Sequence, residues 1–194
     1  MNEQKTPING LVLIGGKSKR MGKDKGLLHY YDLPHKAYTL SLLNTVLPNE
    51  NHFFAINKEQ KPCKNCIVDK YDDLGPFGAI LSAFEQNSTV AYLVLATDLP
   101  FLTKDALNRL INTRDETKLA TTFQAIGSDF PEPLITIWEP KAFPILKKAL
   151  ANKSIKLTTI LKTNEIKTIF IEKKQIKNIN TFPDYIATKE IINK

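Results

Sequence analysis

The chain has 194 residues, of which 42% are hydrophobic and 24% are charged, and its formal net charge is +7. This length predicts one domain over residues 1–194, and the composition excludes a disordered chain. The sequence has no leader-like apolar segment and no run of about 18 apolar residues, so we expect a cytoplasmic protein without a membrane partner.

The positive charge is concentrated near the C-terminus, where residues 141–194 hold twelve Lys and four acidic residues. A nucleic-acid reader also needs a recognition element or interleaved aromatic residues, and neither is present. The basic region is therefore interpreted as a solvated face, and no nucleic-acid partner is expected.

The first predicted strand, GLVLIGG, leads into a loop with the sequence GGKSKRMGKDK. A Walker loop would need glycine at position 11, which is Leu11, and a dinucleotide fingerprint fails because the glycines are 15, 16 and 22. The loop holds five basic residues and one acid, so it predicts phosphate binding without a Walker motif. The basic residues are Lys17, Lys19, Arg20, Lys23 and Lys25.

The next segments predict a helix at HKAYTLSLLNTVLP, strands at HFFAIN and CIVD, a helix at GAILSAFEQ and a buried strand at VAYLVLATD. These strands end at Asn57, Asp69 and Asp98, and Asp72 or Asp73 are alternatives to Asp69. In a parallel sheet all three strand ends border one ligand crevice. Because Mg²⁺ prefers oxygen ligands, Asp98 is the metal candidate, with a turn-forming role as the alternative.

The remaining pattern predicts a helix at KDALNRLINT with Thr103 as N-cap, strands at KLATTFQA and EPLITIW, and helices at PKAFPILKKAL and IKLTTILK. A strand at IKTIFIE and a terminal helix after Pro183 complete the chain. Such alternation predicts an α/β fold of three layers, α/β/α, with a Rossmann-like, mostly parallel sheet.

The cysteines and histidines predict no metal centre. Cys63 and Cys66 lack further zinc ligands and do not follow a strand as a redox pair would, so ordinary loop thiols are favoured. His29, His35 and His52 show no ligand spacing and are expected at the surface or as hydrogen-bonded polar groups.

Several segments resemble the molybdenum cofactor guanylyltransferases of the MobA type, within the nucleotidyltransferase superfamily. Residues Leu13 through Lys25 are similar to the family signature Leu-Ala-Gly-Gly-x-Ser-x-Arg-Met-Gly-x-Asp-Lys, with Ile14 in place of Ala. The segments GPFGAILSAF, TDLPFL, EPLITIW and NINTFPDY resemble further family segments. Departures are Thr97 for Cys, Phe77 for Leu and an additional Phe182.

The resemblance implies a set of site residues. The nucleotide would be bound by backbone atoms of Leu13, Ile14 and Gly15, with Gly16, Lys25, Asn57, Asp69 and Asp98 completing the site. Lys25 and Arg20 would neutralise the triphosphate, with Lys17 as a helper, and Asp98 would bind Mg²⁺. The pair Gly15-Gly16 resembles the guanylyl rather than the cytidylyl branch.

The implied reaction is transfer of GMP from GTP to the terminal phosphate of molybdopterin or Mo-molybdopterin, with release of pyrophosphate and Mg²⁺ as cofactor. Alternatives are a CTP-dependent or a sugar- or isoprenoid-phosphate nucleotidyltransferase, and a nucleotide-binding module without turnover. The sequence leaves the oligomeric state open, and a monomer with transient contacts to other cofactor-biosynthesis proteins is the expectation.

Overall fold

The predicted strands and helices are all present in the computed structural model, which describes residues 5–15, 25–48 and 50–193. The strands are β1 (Ile8–Leu13), β2 (His52–Ile56), β3 (Cys66–Val68), β4 (Ala91–Ala96), β5 (Ala120–Ala125), β6 (Pro131–Trp138) and β7 (Lys167–Ile171). The helices are α1 (His35–Val46), α2 (Pro76–Gln86), α3 (Lys104–Asn112), α4 (Ala142–Ala151), α5 (Leu157–Lys162) and α6 (Phe182–Ile192). Short 3-10 turns cover Lys25–Leu27 and Lys173–Ile176.

The strands form one seven-stranded sheet in the order β3-β2-β1-β4-β6-β5-β7. Strand β6 runs antiparallel to β4 and β5, and the other pairs are parallel. A short loop joins β5 to β6, and two strands joined in this way must pair antiparallel. The predicted mostly parallel sheet is therefore confirmed, with β6 as its exception.

Apolar side chains cover both faces of the sheet. Residues of α2, α4 and α5, such as Phe84, Leu146 and Leu161, pack on one face. Residues of α1 and α3, such as Leu43 and Leu107, pack on the other. All six residues of β4 are buried, as expected for a central strand covered on both sides. The fold therefore has the three predicted layers.

A third, smaller cluster lies at the edge where the parallel strands end. Leu28 and Tyr30 pack there against Ile179 and Tyr185, which come from the C-terminal region. The Ile179 N–H donates to the Asp98 carbonyl at 2.8 Å, and the Tyr185 hydroxyl donates to the His29 carbonyl at 3.1 Å. These contacts attach the last part of the chain to the strand end that carries Asp98.

Each helix begins within two residues of the position predicted from the sequence. The Thr103 side chain accepts from the Ala106 N–H at 3.2 Å, which confirms the predicted N-cap of α3. Helix α6 was expected after Pro183 but begins at Phe182, with Thr181 as N-cap. The earlier start is possible because proline is tolerated in the first helical turn, where its missing N–H has no helical acceptor.

The interpretation of Cys63 and Cys66 as free loop thiols is wrong. The two residues are joined by a disulfide, with their Cα atoms 5.2 Å apart. The turn before β3 brings the two Cα atoms into the range that a disulfide requires, which the spacing alone did not reveal.

Two histidines lie deeper than expected. His35 is 2% exposed and His52 is 7% exposed. His52 Nε2 lies 2.9 Å from the Leu47 carbonyl, whereas neither ring nitrogen of His35 has a hydrogen-bond partner among the described residues. The expectation of a surface or hydrogen-bonded histidine is therefore wrong for His35, because aromatic packing in the N-terminal half buries its ring.

Within the described ranges, no helix has the length and apolarity needed to cross a membrane.

Candidate nucleotide and magnesium site

Four adjacent strands end together at one edge of the sheet. In the ladder Leu13 pairs with Ala55 and with Ala96, and Ile56 pairs with Val68. The residues just beyond these pairs therefore share one edge, as predicted. They are Ile14 and Gly15 after β1, Asn57 after β2, Asp69 after β3 and Asp98 after β4.

Part of the predicted site lies outside the described residues. Gly16, Lys17 and Arg20 belong to the range 16–24, which the structure does not describe. Lys25 is described only as the first residue of a 3-10 turn, without its side chain. The phosphate-binding role of these residues stays a prediction.

The backbone at the end of β1 is held by side chains from the neighbouring strand ends. Three consecutive carbonyls each accept one side-chain hydrogen bond. The Leu13 carbonyl accepts from Thr97 Oγ1 at 3.4 Å, the Ile14 carbonyl from Gln60 Nε2 at 3.1 Å, and the Gly15 carbonyl from Asn57 Nδ2 at 3.2 Å. This bracing fixes the path by which the chain leaves β1 toward the basic loop.

Asn57 and Gln60 are themselves fixed by a turn after β2. Asn57 Oδ1 accepts from the N–H groups of Glu59 and Gln60, both at 3.0 Å, and Gln60 Oε1 accepts from the Asn57 N–H at 2.9 Å. A Cβ at Gly15 would lie 3.0 Å from the Asn57 nitrogen, so the close approach of the two strand ends favours glycine. Gln60 was not predicted, although an amide three residues after an Asn turn is a local signal.

Asp69 is held between β3 and helix α2. Its Oδ1 accepts from the Tyr71 N–H at 2.9 Å and from the Ser82 hydroxyl at 3.3 Å. Burial raises the pKa of the Asp69 carboxyl, against the lowering effect of these two hydrogen bonds. The carboxylate therefore has a structural role at this edge, and its contact with a nucleotide stays a prediction.

Asp98 faces a second carboxylate, from Glu132 near the start of β6. Leu95 of β4 pairs with Ile135 of β6, so the chain that leaves the end of β4 runs toward the start of β6, where Glu132 lies. Burial raises the pKa of Glu132, the Asp98 charge raises it further, and the Leu134 N–H, which donates to Glu132, lowers it. Glu132 was not predicted, because only the pairing of two segments over thirty residues apart reveals it.

This carboxylate pair fits a magnesium ion held partly by substrate. Asp98 Oδ1 is shielded from solvent, and Mg²⁺ in nucleotide sites takes one or two carboxylates together with phosphate oxygens and water. Asp69 lies three strands away from Asp98, or about 14 Å at the usual strand spacing, and cannot share the ion. Within the described ranges, no group of three or more His, Cys, Asp or Glu residues is arranged to hold a metal.

Tyr30 adds a buried hydroxyl beside the same strand end. Burial raises the pKa of Tyr30, and Tyr185, Asp98 and Asp184 raise it further, so the phenol stays protonated at neutral pH. No local pattern predicts this arrangement, since Tyr30 and Tyr185 are separated by most of the chain.

A cavity of about 600 Å³ opens beside Glu132, on the side of Asp98 away from β1. It lies between the β5–β6 loop, the start of α5 and the segment after β7. The edge of the sheet thus offers a braced backbone on one side of Asp98 and a cavity on the other.

Comparisons with known proteins identify the family to which the chain belongs. Residues 10–167 match the MobA-like NTP transferase domain. A "Probable molybdenum cofactor guanylyltransferase" from Clostridium perfringens strain 13 is 31% identical over 199 residues, which cover 93% of this chain and 96% of that protein. The chain therefore belongs to the MobA-like NTP transferase family.

Two further relatives differ in how much of them is matched. A Synechocystis "Molybdenum cofactor biosynthesis bifunctional protein" is 35% identical over 149 residues, covering 74% of this chain but only 42% of that protein. The structure of "Molybdopterin-guanine dinucleotide biosynthesis protein A" from Archaeoglobus fulgidus superposes with a TM-score of 0.75 at 20% identity. It covers 95% of this chain and 98% of that one, which confirms the predicted nucleotidyltransferase fold.

Proposed function

We propose that this protein transfers GMP from GTP to the terminal phosphate of molybdopterin, or of its molybdenum-loaded form, and releases pyrophosphate. The observation that carries the proposal is the pair Asp98 and Glu132 at the end of β4, next to the braced carbonyls of β1. The names of the curated relatives support guanine as the base and molybdopterin as the acceptor.

In this reaction an oxygen of the acceptor phosphate forms a bond to the α-phosphorus of GTP. The bond from that phosphorus to the bridging oxygen breaks, and the electron pair leaves with pyrophosphate. The attacking phosphate is already ionised at neutral pH, so the protein needs no general base. Its contribution is the positioning of two anions and the neutralisation of their charge.

Different residues are assigned to the nucleoside, the triphosphate and the metal ion. Asn57, Gln60 and Thr97 hold the β1 carbonyls where the nucleoside is expected. Lys25 and Arg20 are assigned to the triphosphate, and Asp98 with Glu132 would hold Mg²⁺. When bound, Mg²⁺ would neutralise charge on the phosphate oxygens.

The test is pyrophosphate release with each of the four NTPs and purified molybdopterin. We expect turnover with GTP, none after chelation with EDTA, and recovery when Mg²⁺ is added back. Highest activity with CTP, or with a sugar phosphate as acceptor, would assign the protein to another branch of the family. GTP binding without turnover on any acceptor would indicate a non-catalytic module.

Asp98→Asn tests the metal assignment. Loss of the carboxylate should lower the rate of pyrophosphate release by at least about 10²-fold, because one preorganised charge contact is removed. The matched control is Glu165→Gln, which neutralises an acid that is 83% exposed. An Asp98→Asn variant that keeps its rate and its Mg²⁺ dependence would refute the assignment.

A further inference from the structure

The disulfide between Cys63 and Cys66 lies at the surface, in the loop that joins β2 to β3. Residues 61–65 are exposed, and Cys66, which begins β3, is partly buried. Thiols in solution can reach an exposed disulfide, and exposed disulfides are among those that exchange most readily. Lys61 and Lys64 stand beside the pair in sequence, and positive charge favours the thiolates through which exchange proceeds. Cys63 is therefore the accessible sulfur of the pair.

This disulfide closes a loop too short to contribute much to the stability of the whole domain. The two cysteines are three positions apart, and the stabilisation from a disulfide grows with the length of chain that it closes. The two large apolar clusters of the core include neither cysteine. The bond therefore controls the local position of the loop.

The same loop carries a side chain that holds the end of β1. Gln60 Nε2 donates to the Ile14 carbonyl at 3.1 Å, and Gln60 Oε1 accepts from the Asn57 N–H at 2.9 Å. Gln60 comes three residues before Cys63, so its position depends on how the loop is anchored on both sides. One anchor is the turn at Asn57, and the other is the disulfide to β3.

The second anchor consists of the disulfide and one hydrogen bond. Cys66 is fixed by the sheet, since it pairs with Phe54 and the neighbouring Asn65 carbonyl accepts from the Phe54 N–H at 2.9 Å. The Cys66 N–H donates to the Cys63 carbonyl at 3.2 Å. Within the described ranges, residues 61–64 make no other hydrogen bond or ion pair. Opening the disulfide would therefore leave this end of the loop much freer to move.

We propose that Cys63 and Cys66 form a thiol–disulfide exchange site that a dithiol reductant opens, and that opening it weakens nucleotide binding through Gln60. The effect on the nucleotide rests on the proposed function, because the binding of GTP at the end of β1 is taken from it. In the oxidised protein the loop holds Gln60 against the Ile14 carbonyl. In the reduced protein the same hydrogen bond requires a freer loop to become ordered, so GTP binds more weakly.

The reduction proceeds by two exchange steps. A thiolate of the dithiol attacks Sγ of Cys63, the bond between the two protein sulfurs breaks, and the Cys66 sulfur leaves with the electron pair. The second thiolate of the dithiol then attacks the dithiol sulfur of the mixed disulfide and releases the Cys63 sulfur. The dithiol is oxidised to a disulfide, and the protein gains two electrons and two protons as two thiols.

The test uses the full 194-residue chain, equilibrated with reduced or with oxidised dithiothreitol. Alkylation followed by mass spectrometry counts the protein thiols, and calorimetric titration in the presence of Mg²⁺ gives the Kd for GTP. We expect reduction without denaturant, a Kd for GTP roughly 5-fold higher in the reduced protein, and the original Kd after reoxidation. Recovery of the Kd in the same sample shows that the reduced protein has not misfolded.

Three variants separate the disulfide from the rest of the loop. Cys63→Ser with Cys66→Ser should have the Kd of the reduced protein in both buffers. Gln60→Leu removes the amide that contacts the Ile14 carbonyl, so its Kd should be raised and should not respond to dithiothreitol. Lys64→Ala is the matched control, because it changes the same turn but keeps both sulfurs and Gln60. Its Kd should respond to full reduction as that of the unaltered protein does.

The two proposals fail in different ways. A disulfide that is reduced only after unfolding in urea, or a Kd for GTP that is the same in both redox states, overturns the exchange site while GMP transfer stands. A redox response that persists in the double serine variant or in Gln60→Leu also overturns it. Redox-dependent GTP binding without pyrophosphate release on any acceptor overturns GMP transfer while the exchange site stands. Absence of GTP binding in both redox states overturns both proposals.

Discussion

His35 is a titratable side chain enclosed by aromatic rings. Its ring centroid lies 5.0 Å from that of Tyr30 and 5.7 Å from that of Tyr38. Burial lowers the pKa of His35 from 6.5 to about 4, since a charged imidazolium has no compensating contact there. Protonation therefore favours the unfolded chain.

The lowered pKa makes stability depend on pH. The pKa of His35 in the folded protein lies below its value in the unfolded chain. The stability that the neutral side chain contributes is therefore fully present above about pH 6.5 and is lost as pH falls toward 4. We expect the free energy of unfolding to fall by about 2 kcal/mol between pH 7 and pH 5 through this group alone. Urea unfolding at each pH should show a flatter profile for His35→Phe. His29→Phe, at an exposed position, should keep the original slope, and equal slopes in all three proteins would contradict the prediction.

Single residues show what a sequence reveals of a site. Asn57, Asp69 and Asp98 were predicted because each lies within two residues of the end of an apolar strand, which is a local pattern. The position of Glu132 and the hydrogen bond from Asn57 to the Gly15 carbonyl depend instead on which strands become neighbours. Such contacts are set by tertiary pairing, and the amino-acid pattern around each residue does not encode them.

At the scale of elements, the first turn of α2 packs directly on the end of β3. A Cβ at Gly78 would lie 2.8 Å and 2.9 Å from the two Asp69 carboxylate oxygens, and 3.0 Å from the Tyr71 Cβ. The helix can approach the strand end this closely only where a side chain is missing.

Gly78→Ala should therefore destabilise the protein by about 1–2 kcal/mol, because the steric cost exceeds the better helix propensity of alanine. Chemical denaturation of a double-mutant cycle with Asp69→Ala isolates the contact. In the Asp69→Ala background the same substitution should be neutral or stabilising. An equal cost in both backgrounds would place the strain elsewhere in the helix.

The elements were predictable because strand and helix periodicities are local and several helices carry their own start signals. Thr103 caps α3 as expected. The antiparallel direction of β6 was not predicted, since the pattern of EPLITIW fits a buried strand of either direction. The disulfide between Cys63 and Cys66 depended on a turn geometry that residue spacing does not determine.

At the scale of the whole molecule, a buried ion pair lies far from the proposed site. Arg114 donates to both oxygens of Glu139, at 2.8 Å and 2.7 Å, and Glu139 is fully buried. Glu139 follows β6 at the end opposite Glu132, roughly 23 Å away along the strand. The pair joins the end of β6 to the segment after α3.

Glu139→Gln should lower the free energy of unfolding by about 3 kcal/mol, because it leaves the Arg114 guanidinium buried beside a neutral group. Pyrophosphate release per folded molecule should not change, given the distance from Asp98. Glu165→Gln, which breaks the exposed 2.8 Å pair with Lys118, should leave the free energy of unfolding nearly unchanged, because solvent screens this pair. Urea unfolding and rate measurements on the same samples check both statements, and a large cost at Glu165 would contradict them.

The overall architecture followed from the alternation of strands and helices, because right-handed crossovers leave few ways to build such a sheet. The strand order β3-β2-β1-β4-β6-β5-β7 did not follow, since it depends on competition between many apolar surfaces of similar hydrophobicity.

The small cluster of Leu28, Tyr30, Ile179 and Tyr185 has a practical consequence for protein production. The family match ends at residue 167, before two members of this cluster and before most of β7. A fragment cut at that boundary would lose the N–H that holds the Asp98 carbonyl and would uncover the Tyr30 ring. Expression designs should therefore extend through α6, whose Tyr185 packs against the Tyr30 ring.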